Sequence, residues 1–239
     1  MRWVPLVILL ASGPARADEV FDLQAEVDAP VIATSLAIAI LPELVVGQLD
    51  GPACLRSRCD RRDVPWFDRW AVGRASPLAS IISDVLVLAI PVAGLSIDLA
   101  TERGVAFWQD AAVVFEAYAI DALLVSLTKF AVRRPRPYVY DPARPMDQRG
   151  KPGAALSFFS GHASLAFTGA TAFAEVFRRR HDGVAVPVVY ASGLGLAAVV
   201  ALCRILAGKH YLSDVLVGAA VGASLGILVP ALHDRSAVE

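Results

Sequence analysis

The sequence predicts an all-α protein, a six-helix transmembrane bundle, and three observations carry the prediction. Residues of the set AVILMFWYC fill 56% of the 239 positions and charged residues only 19%, an apolar share above the roughly 45–50% usual for soluble domains. The mean hydropathy is +0.56. Six apolar stretches follow one another along the chain, several of them long enough to cross a hydrocarbon core of about 30 Å as helices. Disordered, collagen-like and disulfide-framework chains are excluded by the same figures. The net charge of −1 and pI near 6.4 leave nucleic-acid binding without an electrostatic footing.

Taken in order, the first seventeen residues have the form of a secretion signal: Arg2, an apolar run from Val4 to Ala11, then Ala15-Arg16-Ala17, a small-x-small pattern before a cleavage site. An uncleaved N-terminal anchor fits the same residues, and 18–239 is expected to be a single domain. Val31 to Gly47 is apolar but interrupted by Pro42 and Glu43. Leu78 to Ile97 carries one acid, Asp84, whereas Val105 to Phe130 carries Asp110, Glu116 and Asp121, which sit in lipid only if they turn inward. Ala163 to Phe177 is short. Val184 to Cys203 runs twenty residues without a charge, and Val215 to Leu232 eighteen. The last stretch holds Gly218, Gly222 and Gly226, two overlapping GxxxG units that let another helix approach closely.

Between the spans, Trp66, Phe67 and Trp70 suggest an interfacial helix with its aromatic face at headgroup depth, or a cap packed on the bundle. Cys54 and Cys59 are near enough to bridge, although two free thiols fit equally; Cys203 lies in an apolar run.

Polar residues at the span ends form three clusters. Lys129 and, seven residues on, Arg136-Pro137 enclose Arg133 and Arg134; cations of this kind hold a dense negative group, Arg as a planar fork and Lys as a point charge. Ser157-Phe158-Phe159-Ser160-Gly161-His162 precedes span four, where backbone N–H groups at a helix start favour an anion and His162 stands beside it. Arg204, His210 and Asp214 join spans five and six. His210 and Asp214 are four apart, so in a helix the carboxylate can accept the ring N–H and raise the basicity of the other nitrogen. With six spans, the turns after the third and fifth lie on one side. Lys129, Arg136, His162, Arg204, His210 and Asp214 therefore converge, while His181 and His233 fall on the other side. No Cys/His zinc spacing occurs, so the expectation is a phosphate site with no metal and no cofactor.

These three motifs, Lys129-x6-Arg136-Pro137, Ser160-Gly161-His162 and Arg204-x5-His210-x3-Asp214, resemble those of the type 2 phosphatidic acid phosphatase (PAP2) and vanadium haloperoxidase superfamily, in its membrane lipid-phosphatase branch. The resemblance implies that His210 attacks phosphorus, His162 protonates the leaving oxygen and Asp214 orients His210. It also makes Lys129, Arg136, Ser160, Gly161 and Arg204 the phosphate cradle. Phe159 stands where the family usually has Pro, and Cys203 where it usually has Ser; the first change would loosen the turn presenting Ser160 and the second would remove a hydroxyl donor.

The implied activity is metal-independent hydrolysis of a lipid phosphate or pyrophosphate through a phospho-histidine: phosphatidate, phosphatidylglycerophosphate, a polyprenyl pyrophosphate or a lipid A type phosphate. A lipid phosphotransferase and a non-catalytic phosphate-lipid binding or transport protein are the alternatives. The membrane and a lipid substrate are the only partners expected. Location is the bacterial inner membrane, multi-pass. The motif side carries 15 Lys and Arg against 5 opposite, which by the positive-inside rule would face the cytoplasm. The cations a phosphate site needs, an oxidising compartment for a Cys54–Cys59 bridge and the family's habit favour the periplasmic face.

Overall fold

A computed structural model describes residues 20–235 apart from Arg58, and the backbone alone of Glu43; the signal-like segment lies outside the described residues. Six long helices, α1 (Ala25–Val45), α2 (Pro77–Thr101), α3 (Val105–Val132), α5 (Gly161–Arg180), α6 (Ala185–Leu206) and α7 (Leu212–Leu232), carry the six apolar stretches. A single turn, α4 (Met146–Arg149), interrupts the segment between α3 and α5. Five of the long helices are long and apolar enough to cross a membrane; α5 is the exception.

α5 is instead the hub. It packs against α7, α6, α3 and α2, while α1 lies on α3 and α2 on α6. Small and polar residues along α5, among them Ser164, Thr168, Gly169 and Thr171, are buried by neighbouring helices rather than by lipid, which is why its sequence is short of hydrophobicity. The outer helices show the reverse pattern. On α2, Leu78, Ile81, Val85, Leu88 and Val92 form an exposed apolar stripe at helical spacing, the surface expected to face acyl chains.

The glycine ladder on α7 sets the closest contact in the bundle. A Cβ at Gly218 would stand 2.6 Å from the Ser160 carbonyl oxygen, and one at Gly222 would be 2.1 Å from that of Ser164. α5 and α7 thus touch backbone to backbone, the arrangement that membrane helices without a hydrophobic driving force rely on. All three acids of α3 turn inward. Asp110 pairs with Arg180, with Nε at 2.5 Å; Asp121 accepts from the Ser164 hydroxyl at 2.5 Å and from Thr168 at 2.8 Å; Glu116 faces His233.

Caps fix the helix ends that build the site. Ser76 accepts from the Ala79 N–H and precedes Pro77 at the first helical position of α2. Ser160 accepts from Ala163 at the start of α5. At Gly208, between α6 and α7, φ is +68° and a Cβ would meet the Arg74 carbonyl at 1.9 Å, so only glycine lets the 49–76 segment lie over this turn.

Of the two forms the sequence allowed for that segment, the structure shows the cap packed on the bundle. It contains short 3-10 turns at Arg61–Asp63 and Arg69–Ala71 rather than an interfacial helix. Trp66 is 79% exposed and stacks edge-on with Phe67, while Trp70 packs on the cluster of Val64, Val72, Ile205 and Tyr211. Pro65 and the successive 3-10 closures break up the continuous helix that an amphipathic face would need. Cys54 and Cys59 are joined in a disulfide within the same segment.

Candidate active site

Successive long helices run in opposite directions, so the C-terminal ends of α3 and α6 and the N-terminal ends of α2, α5 and α7 share one end of the bundle. All eight residues singled out above sit there.

His210 lies in the α6–α7 turn and is buried. Its Nδ1 is 2.8 Å from the Ser157 carbonyl oxygen. A carbonyl only accepts, so Nδ1 carries the hydrogen and Nε2 keeps its lone pair. Arg136 Nη1 approaches that nitrogen at 3.4 Å and also donates to the Lys209 carbonyl at 3.2 Å. Burial pushes the His210 imidazole well below its ordinary range; Asp214 opposes the shift, and the Arg136 and Arg204 cations add to it. The ring is a neutral base whose Nε2 lone pair faces Arg136.

Asp214 does not make the direct bond that its spacing suggests. Its Oδ2 is 3.6 Å from His210 Nδ1, and the Ser157 carbonyl takes the ring hydrogen in its place. The carboxylate is drawn off by other donors: Arg134 Nη1 at 2.5 Å, the Ser157 hydroxyl at 2.6 Å and the Tyr211 N–H at 3.0 Å. Asp214 therefore acts on His210 through Ser157, whose backbone holds the ring while its hydroxyl is tied to the carboxylate.

His162, in the first turn of α5, places Nε2 2.8 Å from Asp84 Oδ1. The same oxygen accepts from Arg204 Nη1 at 2.8 Å, and Lys209 Nζ is 3.9 Å from Oδ2. Arg204 also reaches the Ser83 hydroxyl and Lys209 the Ser80 hydroxyl. Burial, with Arg204 beside it, pushes the Lys209 amine below its usual range. A carboxylate oxygen that collects a histidine and an arginine makes the contacts a phosphate oxygen would make. Gly161 leaves room for the approach of Lys129, whose Nζ would stand 3.4 Å from a Cβ there.

Two residues carry more of this site than sequence reasoning allotted. Asp84 is the lone acid of its stretch, and an isolated charge in a span was the available signal. Arg134 stood in the first cationic cluster with nothing to set it apart from Arg133: its Nη1 holds Asp214, its Nη2 holds the buried Asp68 at 2.7 Å, and its guanidinium lies over Tyr211 at 4.1 Å. Asp68 in turn accepts from the Ser213 N–H and hydroxyl, fastening the 49–76 segment to the start of α7. Phe159 and Cys203, the two departures from the family pattern, are both buried. The turn with Phe159 is held by Ser157 N–H on the Arg134 carbonyl and Ser160 N–H on the Asp214 carbonyl. Cys203 packs in an apolar cluster with Ala79 and Ala207.

A cleft of about 390 Å³ opens beside the site between α1, α3 and α5, lined by Leu36, Ile40, Ala122 and Val125 and ending at Lys129 and His162.

Fold and site together define a multi-pass helical membrane protein with a two-histidine, arginine-rich cluster at one end. Residues 110–237 match the family model of the PAP2 superfamily, and the chain belongs to that superfamily. It is similar to a transmembrane PAP2 type phosphatidylglycerolphosphate phosphatase from Bacillus subtilis, with a TM-score of 0.52 at 19% identity over 86% of this chain and 94% of that one; the likeness is one of fold. It is also 39% identical over 115 residues to the decaprenylphosphoryl-5-phosphoribose phosphatase of Mycobacterium tuberculosis, covering 48% of this chain and 54% of the relative. The chain thus spans about half the length of the curated relatives it matches.

Proposed function

We propose that this protein is a phosphatase that hydrolyses a lipid phosphate or pyrophosphate inside the membrane plane. The observation that carries the reading is the continuity of the apolar α1/α3/α5 cleft with Lys129 and His162: an acyl or prenyl chain lies in the cleft while its phosphate meets the cations. A polyprenyl phosphate ester is the first substrate to try, given the M. tuberculosis relative, with phosphatidylglycerophosphate, phosphatidate and a lipid A type phosphate beside it.

In this mechanism Arg136, Arg204, Lys129 and the Gly161 N–H neutralise the phosphoryl oxygens, the main catalytic contribution in phosphoryl transfer, while the Ser160 N–H stays on the Asp214 carbonyl and fixes the turn. His210 Nε2 attacks phosphorus in line. The bond from phosphorus to the ester oxygen breaks, and that oxygen takes a proton from His162, leaving a phospho-histidine and a free alcohol. Water then gives His162 its proton and attacks phosphorus, releasing inorganic phosphate and His210. Asp84 holds the His162 ring in place through Nε2 until the substrate takes its position among the cations.

The same reading puts the site on the periplasmic face of the inner membrane. The Cys54–Cys59 disulfide at the site end supports it, since such bonds persist in oxidising compartments, and the start of α1 is then cytoplasmic. Phosphate release from the four lipids and from a short water-soluble phosphate ester by purified protein tests the reaction. Release from at least one lipid at a rate well above the soluble ester is the expected result, and no release from any would defeat the reading. Labelling of intact cells with a membrane-impermeant thiol reagent is expected only after reduction; labelling without reduction and only after lysis would place the site in the cytoplasm.

A further inference from the structure

At the end of the bundle away from the phosphate site, three side chains from three helices meet. Asp28 lies in the first turn of α1, Glu116 on α3, and His233 at the C-cap of α7. His233 Nε2 is 3.4 Å from Asp28 Oδ1 and 3.2 Å from Glu116 Oε2, and the three atoms lie within 4.8 Å of one another.

The other ring nitrogen decides what they face. His233 Nδ1 is 2.9 Å from the Val229 carbonyl oxygen, so Nδ1 carries a hydrogen and a neutral ring turns its Nε2 lone pair towards two carboxylate oxygens. Three electron-rich atoms aimed at one point require a positive centre between them. A proton on Nε2 makes one directed bond and cannot serve both carboxylates well. Glu116 Oε2 is buried and has no hydrogen-bond partner among the described residues, on a side chain 8% exposed. An orphaned carboxylate oxygen at that depth is costly.

A metal ion serves all three at once. Bonds of about 2.0–2.1 Å in tetrahedral geometry set ligand atoms about 3.4 Å apart, close to the two separations observed. The Nδ1-to-carbonyl contact is the outer contact that fixes the tautomer of a metal-binding histidine. Asp28 is oriented too: its Oδ2 accepts from the Gln24 N–H at 2.7 Å, leaving Oδ1 for the His233 side. The surroundings are braced by backbone pairing of Phe21 with Asp234 and by Asp22 N–H on the His233 carbonyl at 2.8 Å.

We propose that Asp28, Glu116 and His233 form a binding site for one divalent transition-metal ion, zinc by ligand set and spacing, with water completing the shell. The ion pins the start of α1 and the end of α7 to α3, and it takes no part in phosphate chemistry at the other end.

The test uses full-length protein with its purification tag removed, stripped with EDTA, incubated with Zn²⁺ alone and freed of unbound metal by gel filtration. Elemental analysis should find about one zinc per chain, falling at least tenfold in His233→Ala and in Glu116→Gln while both variants still release phosphate. Loading with Co²⁺ gives an independent readout on the wild-type protein, whose visible bands should have the intensity of a tetrahedral centre. The proposal is overturned if wild-type protein retains no zinc and shows no such bands, or if both variants retain zinc as the wild type does. Should the variants not fold, the Co²⁺ spectrum alone decides, and neither metal readout depends on the phosphatase reading.

Discussion

The two ends of the bundle handle charge in opposite ways. At the end holding His181 and the helix starts of α3 and α6, cations are matched to carboxylates. Arg180 is fully buried on Asp110 and Arg179 holds both Glu175 and Asp234, while His181 stacks flat on Phe177 with its Nε2 3.5 Å from Glu102. At the motif end Arg204, Lys209 and His162 crowd round a single half-exposed carboxylate, Asp84, and Arg136 reaches a histidine nitrogen and carbonyl oxygens. Matched charge locks helices together; crowded positive charge around an exchangeable anion leaves a place for a ligand. Basic residues at a membrane boundary therefore say little until their partners are known.

Histidine substitution gives the largest contrast between the ends. His210→Ala should abolish phosphate release in protein that still folds, whereas His181→Ala should leave turnover near wild type; substantial turnover in purified His210→Ala would remove the nucleophile from the mechanism. The next contrast concerns stability. Arg134→Met strands Asp68 and Asp214 in the interior and should cost about 3–5 kcal/mol, while loss of half-exposed Arg178 from Glu175, which keeps Arg179 and Tyr190, should cost less than about 1 kcal/mol in Arg178→Ala. Comparable thermal shifts in the two variants would show that Arg134 is not the clamp described.

Asp84→Asn probes the crowding itself. Without its internal competitor the cradle should bind phosphate more tightly, and without the carboxylate His162 should donate less well. KM and kcat should then fall together, kcat by about tenfold, so that kcat/KM changes little. A raised KM at unchanged kcat would mean that Asp84 holds the substrate instead. The smallest effect is on pH. Because folding depresses the His210 pKa from an ordinary value near 6.5, the unfolded chain binds the extra proton first. The contribution of His210 to stability is complete above pH 6.5 and declines as pH drops below it, down to the folded pKa. The melting temperature should drop between pH 7 and pH 5, and His210→Gln should flatten part of that slope. An unchanged slope would mean that the ring takes up its proton as readily in the fold as in the unfolded chain.

Much of this was legible in the sequence. The apolar stretches marked all six long helices, the glycine spacing marked a close helix contact whose partner the structure identifies as α5, and the odd acids of α3 announced that they face inward. Three motifs brought the two histidines and their cations to one end. What stayed hidden depended on geometry between distant segments. Arg134 and Arg136 differ by two positions and are equal as charges, yet one clamps two buried carboxylates and the other reaches His210. The spacing of His210 and Asp214 suggested a direct contact on one helix face, but His210 lies ahead of α7 and Ser157, fifty-three residues away from it, takes the ring hydrogen. Asp28, Glu116 and His233 share no motif, because their meeting is made by three helices.

The cleft between α1, α3 and α5 has one more consequence. A molecule that reaches Lys129 sideways never passes through water, so for it the relevant concentration is a mole fraction in a two-dimensional fluid. Catalysis in such a protein is governed by surface dilution: adding inert lipid slows it at constant bulk substrate, and crowding the same substrate into less membrane speeds it.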